Sequence, residues 1–242
     1  MGIRDSYNAR YDGSHPHWYV RESTLSEEDY HDAYIGRLTR DWLANYQGDE
    51  PFFCWCNWGG PHMPWDAPGR YAEMYPLDEL DPPLQDFLAN APEDIRRKLE
   101  AVLAGMPPDK WTLVQEPQPM PEDAWRACRS HYYGMINVVD DGIGAMLAVL
   151  EERGILDNTI VVYTSDHGEQ LGEHGLWWKS TFYDGSLGVP LLMAGPGIED
   201  RGRIVNENVG LLDLGQTLLD FAGVRQLPNI DGRSFRSLID GD

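Results

Sequence analysis

The sequence predicts an α/β fold: a mainly parallel sheet flanked by helices on both faces. Three observations predict it. Short apolar, β-branched or aromatic stretches at 51–58, 159–165 and 189–194 have strand length. Amphipathic helical patterns stand between and after them. The resulting order of strand, helix, strand, loop, strand, helix is that of a sheet with helices packed on it. The 242 residues suffice for one such domain, read as 1–242.

Residues 1–23 are polar, without periodicity, and read as a loop. Thr24-Leu-Ser-Glu27 has the pattern of a capping box. Tyr30, Tyr34, Ile35, Leu38 and Trp42 then recur at helical spacing, which predicts a helix over 26–46, ended by Gly48. The stretch 51–58 is the first predicted strand. It carries Cys54 and Cys56 on one face, as alternation requires. Three cysteines in all argue against a disulfide framework. Small buried hydrophobes are the plainer reading of the pair, and a metal or redox role the alternative.

Residues 64–121, rich in Pro, Asp and Glu, read as an irregular insertion with a helix near 93–104. The strongest helical signal follows at 122–153. Trp125, Cys128, Tyr132, Met135, Val139, Ile143, Met146 and Leu150 form its apolar stripe, and Gly154 stands just past its end. A strand at 159–165 comes next. Another at 189–194 is closed by Gly195-Pro-Gly197, and a last amphipathic helix covers 211–222. Neither G-x-G-x-x-G nor G-x-x-x-x-G-K-[ST] occurs, so no glycine-rich phosphate loop is expected.

Charge narrows the partners. The formal net charge is −21, from 40 acids against 19 bases. Nucleic acid and anionic membrane surfaces need a basic face, so neither is an expected partner. An anionic substrate would need a strong local positive focus. The start of the chain has no apolar signal-peptide core, and no stretch reads as a run of about 20 apolar residues. As written, the chain is expected to be soluble and unexported.

Four residues stand where chemistry is plausible. Asp166 and His167 follow the strand at 159–165 directly, at the edge of an α/β sheet where ligands bind. A carboxylate and an imidazole can converge on one divalent cation, or simply cap the turn. Lys179, one of only three lysines, sits in Leu176-Trp-Trp-Lys-Ser180. It could clamp an anionic oxygen or serve a leaving group, or be an ordinary surface lysine. His62 lies in Pro61-His-Met-Pro64, just past the strand at 51–58. Were that strand a parallel neighbour of 159–165, His62 and Asp166 would share one sheet edge. A turn histidine with no role is the alternative.

Taken together these segments resemble a family. The stretches 51–56, Pro61-His-Met-Pro64, Thr159-Ile-Val-Val-Tyr-Thr-Ser-Asp-His-Gly168, Gly172-Glu-His-Gly175, Lys179 and Val189-Pro-Leu-Leu-Met-Ala-Gly-Pro-Gly197 are similar to the sulfatases of the alkaline-phosphatase superfamily. Asp213-Leu-Gly-Gln-Thr217 and Asp231-Gly-Arg-Ser234 resemble that family's Asp-x-x-Pro-Thr helix and Asp-Gly-x-Ser loop, with Gln216 where proline is usual. The Gly-Leu-Trp-Trp-Lys run is similar to choline-sulfatase-like members.

The resemblance implies an alkaline-phosphatase-like α/β fold, incomplete at both ends, and a metal-dependent sulfuric ester hydrolase. It implies that Asp166 and His167 ligate a divalent cation, Ca²⁺ first, with Mn²⁺, Mg²⁺ or Zn²⁺ as alternatives. His62 and Lys179 would hydrogen-bond the sulfate and help the leaving oxygen depart, with His174 structural. The substrate would be a small-molecule or carbohydrate sulfate ester.

The family's nucleophile is a formylglycine made within a Cys-x-Pro-x-Arg motif. Cys54, Cys56 and Cys128 all lack that context, and Ser14-His-Pro-His-Trp18 lacks the arginine. The family's N-terminal Asp-Asp metal pair and Gly-Lys-x-His segment are missing too. The resemblance therefore implies a chain that begins after the nucleophile segment, stops before the C-terminal antiparallel subdomain, and has no turnover by itself. Two other readings stay open: a phosphonate monoester or phosphodiester hydrolase of the same superfamily, and a non-catalytic remnant or binding module.

Overall fold

The computed structural model describes residue 20 and residues 23–84, 92–94, 96–97, 122–179, 181–198 and 202–241. Most of the predicted loop at 1–23 and of the predicted helix near 93–104 lies outside the described residues. The chain divides into two compact units, Met1–Arg153 with Gly168–Gly188, and Gly154–His167 with Val189–Asp242.

In the first unit, α1 (His31–Asn45) packs against α2 (Glu122–Glu152). The approach is close because glycines meet: a Cβ on Gly36 would lie 3.2 Å from the Gly142 Cα. α1 begins later than the sequence suggests. Ser26 Oγ accepts from the Asp29 amide at 3.1 Å, and Glu27 Oε1 takes the Arg70 amide at 2.7 Å. The turn before α1 is thus capped by Ser26 with Asp29, and Glu27 of the expected Thr24–Glu27 box bonds Arg70 instead. At the other end, Arg153 donates to the Leu43 and Tyr46 carbonyls at 2.5 and 2.8 Å, satisfying carbonyls that the helix leaves open.

The stripe on α2 buries as predicted at Trp125, Cys128, Met135, Val139 and Leu150. Trp125, Cys128 and Met135 form a core with Tyr30, Trp65, Ala67, Tyr71, Val138 and Trp177. Contrary to the sequence reading, Trp125–Glu152 is long and apolar enough to cross a membrane by length and composition. Within this unit it is the helix on which α1 and the 3₁₀ turn Gly69–Glu73 pack.

One expected strand is not formed. Residues 51–58 have no ladder partner among the described residues. Phe53 and Trp55 are 75% and 78% exposed and Cys54 is exposed, so this stretch lacks the neighbours that would bury both its faces. An apolar run shows that a segment suits a sheet, not that a partner strand is beside it. Cys54 therefore is not the buried hydrophobe expected. Cys128 is, and all three cysteines are free.

In the second unit, β1 (Val161–Thr164) pairs with β2 (Leu191–Ala194), with Val161 opposite Ala194 and Thr164 opposite Leu191. The pair is antiparallel, whereas the sequence predicts a mainly parallel sheet. The order of elements limits topology without fixing the direction of each strand. β2 is followed by α4 (Leu211–Phe221) and the short α5 (Arg236–Asp240), while a single turn, α3 (Asp184–Leu187), belongs to the first unit. The Asp231-Gly-Arg-Ser234 loop docks on α4. The Arg233 amide donates to Asp213 Oδ1 at 2.8 Å and the Phe235 amide to Thr217 Oγ1 at 3.0 Å. Gly232 is required there, since a Cβ would lie 2.0 Å from the Leu212 carbonyl oxygen. Gln216 is buried and holds both backbone groups of Leu227, donating at 2.9 Å and accepting at 3.1 Å.

Candidate active site

His62 and Lys179 lie in the first unit, and two loops bring them together. In the first loop the Gly59 carbonyl accepts from the His62 amide at 3.2 Å. The second loop runs from Glu169 to Lys179 and is closed on itself. The Gln170 amide donates to the Trp178 carbonyl at 3.0 Å and the Gly172 amide to the Leu176 carbonyl at 2.9 Å. Glu169 Oε1 accepts from the Trp178 amide. Trp178 itself has φ 66°, a left-handed conformation uncommon for a bulky residue.

The loops meet through three pairs in antiparallel order. Lys179 Nζ reaches His62 Nε2 at 2.5 Å, Trp178 Nε1 reaches Met63 Sδ at 2.5 Å, and the Trp177 and Trp65 rings stand 5.2 Å apart. Trp177 and Trp178, the two residues before Lys179, therefore brace the lysine. Met63 was missed by the sequence reading, and its position between His62 and Pro64 is the only signal that could have marked it.

The partners of His62 define its tautomer. Nδ1 lies 2.8 Å from the Met63 carbonyl oxygen, which can only accept. An ammonium can only donate, so Nε2 must be the acceptor for Lys179. The imidazole carries its hydrogen on Nδ1 and receives one from Lys179 on Nε2. This arrangement holds an ammonium and an imidazole at one partly exposed place in an otherwise acidic chain. It can bind an anionic oxygen and move a proton to it.

Asp166 and His167 lie in the second unit, in the turn after β1. Asp166 Oδ1 accepts from the His167 amide at 3.0 Å, and Ser165 Oγ donates to the His167 carbonyl at 2.8 Å. Asp166 Oδ2 and His167 Nε2 stand 3.7 Å apart. The aspartate side chain is 85% exposed. The two donors suit a divalent cation in type and face one another. They do not suffice in number: no group of three or more His, Cys, Asp or Glu able to hold a metal occurs among the described residues. The condition for His62 and Asp166 to share a sheet edge, a parallel pairing of 51–58 with 159–165, does not hold among the described residues, where the ladder partner of β1 is β2. His174, in the 3₁₀ turn Glu173–Gly175, has φ 57° and stacks on Tyr183 at 4.3 Å.

The chain is similar over 100% of its length to a phosphonate monoester hydrolase from Silicibacter pomeroyi, with a TM-score of 0.79 and 27% identity, and covers 47% of that chain. The fold is thus that of the α/β enzymes of the sulfatase and alkaline-phosphatase type. The family model described as Sulfatase matches residues 3–224, and the chain belongs to the sulfatase family, a family of hydrolases. It is 31% identical to an arylsulfatase of Clostridium perfringens over 227 residues, which are 92% of this chain and 44% of the relative. It is 28% identical to a choline-sulfatase of Rhizobium meliloti over 218 residues, 82% of this chain and 38% of the relative. The chain therefore spans less than half the length of each of these proteins. Family membership implies a divalent cation without specifying which.

Proposed function

We propose that the chain carries part of the site of a sulfuric ester hydrolase, with His62 and Lys179 acting on the sulfate ester. The contact between these two side chains carries the reading. Lys179 would hold a non-bridging sulfate oxygen and so offset the repulsion that a net charge of −21 exerts on an anion. His62 or Lys179 would donate a proton to the departing oxygen, the two side chains standing in contact at 2.5 Å. Asp166 and His167 would hold the divalent cation, Ca²⁺ first and Mn²⁺, Mg²⁺ or Zn²⁺ otherwise, which would supply positive charge when bound. The substrate class is a small-molecule or carbohydrate sulfate ester. The surrounding architecture proposed is a mainly parallel sheet with helices on both faces.

The sequence holds no Cys-x-Pro-x-Arg motif, so these 242 residues are proposed to have no turnover alone. Assaying the chain with 4-nitrophenyl sulfate and added Ca²⁺ or Mn²⁺ tests this. No release of 4-nitrophenol is expected, and metal-dependent release abolished by Lys179→Ala would contradict it. The likeness to a phosphonate monoester hydrolase favours a second reading, in which the same pair serves a phosphonate monoester or phosphodiester.

A further inference from the structure

We propose that Asp32 positions His62: its buried carboxylate clamps the backbone at Gly59 and Gly60, and the clamped turn delivers the imidazole to Lys179. The inference rests on the reading of His62 and Lys179 given above.

Asp32 lies in the first turn of α1 and has no solvent exposure. A buried carboxylate is costly unless hydrogen bonds compensate it. Its compensation comes from one short stretch of chain. Oδ1 accepts from the Gly59 amide at 3.0 Å and from the Gly60 amide at 3.1 Å. The Asp32 carbonyl accepts from Trp58 Nε1 at 3.2 Å. Three successive residues, 58, 59 and 60, thus hang on one aspartate. Oδ2 faces His31 Nε2 at 3.2 Å, outside hydrogen-bond geometry.

Gly60 is fitted to this clamp. A Cβ there would lie 2.1 Å from Asp32 Oδ2, so a side chain would push the carboxylate off the turn. From the clamp to the imidazole there is one further bond, the His62 amide on the Gly59 carbonyl at 3.2 Å. An apolar residue in place of Asp32 could fill the same space, but would leave two amides without an acceptor. Holding the turn explains why this buried position carries an acid. The polar partners of the Asp32 carboxylate are Gly59, Gly60 and His31, so it acts on His62 through the backbone and is a positioning residue.

The test uses the whole 242-residue chain, isotope-labelled, and reads the nuclear Overhauser contacts between the His62 ring and the Lys179 side chain. Asp32→Ala is expected to lose those contacts and to shift the signals of Gly59, Gly60, His62 and Met63, while Met135 and Tyr71 keep theirs. Asp32→Asn keeps an acceptor oxygen and is expected to retain the contacts. A folded Asp32→Ala chain with the His62–Lys179 contacts intact would overturn the proposal. So would changes spread evenly through the core, or loss of the contacts in a folded Asp32→Asn chain. Should Asp32→Ala fail to fold, Asp32→Asn decides alone by the same reading. Failure of the functional reading is separate: it would appear as unaltered sulfate-ester binding in His62→Ala, and would leave the contact measurements as they are.

Discussion

His62 Nε2 and Lys179 Nζ stand 2.5 Å apart although 117 positions separate them in the chain. The lysine donates, the imidazole accepts, and the Met63 carbonyl takes the imidazole's own hydrogen at 2.8 Å. Met63 against Trp178 and Trp65 against Trp177 hold the two loops beside that contact.

This geometry predicts the Nδ1–H tautomer for His62, readable from the ring ¹⁵N shifts. Lys179→Met removes the donor at Nε2, and the ring is then expected to move toward the Nε2–H form that free imidazole side chains favour. A ring already in the Nε2–H form in the unaltered protein would contradict the arrangement.

The packing of α2 on Gly69–Glu73 predicts a stability effect far from the site. A Cβ on Gly134 would lie 2.2 Å from the Tyr71 carbonyl oxygen, which is backbone and cannot swing away. Gly134→Ala is expected to destabilise the chain by about 1–3 kcal/mol, seen as a lower urea midpoint at unchanged slope.

Thiol reactivity should follow exposure. Burial pushes the Cys128 thiol far up, and the charge of Glu169 adds to it. Burial also raises Cys54 and Cys56, but Cys54 is exposed and Cys56 half-buried. Iodoacetamide followed by mass spectrometry is expected to label Cys54 first, Cys56 more slowly and Cys128 only in denaturant. Early labelling of Cys128 would show that α2 is not packed as described.

The amides of Arg233 and Gly210, at 2.8 Å each, hold the Asp213 carboxyl below the usual carboxylate range. Its folded pKa therefore lies below the unfolded value of about 3.9. The stabilisation is present above that unfolded value and is lost as pH falls through the folded one. Asp213→Asn is expected to flatten the acid limb of a plot of urea midpoint against pH. An acid limb unchanged by the substitution would contradict the assignment.

Much of this was legible where one element determines its own pattern. The stripe from Trp125 to Leu150 gives α2 nearly to the residue, because a 3.6-residue period needs no partner to be seen. The short apolar runs at 159–165 and 189–194 give β1 and β2 but not their antiparallel pairing, which depends on how the intervening chain returns. Phe53 and Trp55 read as strand residues, yet they lie exposed without a ladder. His62 and Lys179 were singled out by neighbouring prolines and tryptophans and by resemblance. That they touch was not readable across 117 residues. Gln216 stood out only as a departure from proline, and its pairing with Leu227 supplies the physical reason. Asp32 left no signal in the sequence: the helix predicted over 26–46 puts it in the second turn, and only the observed start at His31 brings it into the first.

The most direct measurement is a titration of the chain with 4-nitrophenyl sulfate, followed on the His62 ring nitrogens and the Lys179 ammonium. The account predicts saturable shifts at both residues, weaker shifts with bis(4-nitrophenyl) phosphate, and loss of the effect in Lys179→Ala. No saturable shift at either residue, or shifts at His62 that survive Lys179→Ala, would contradict it.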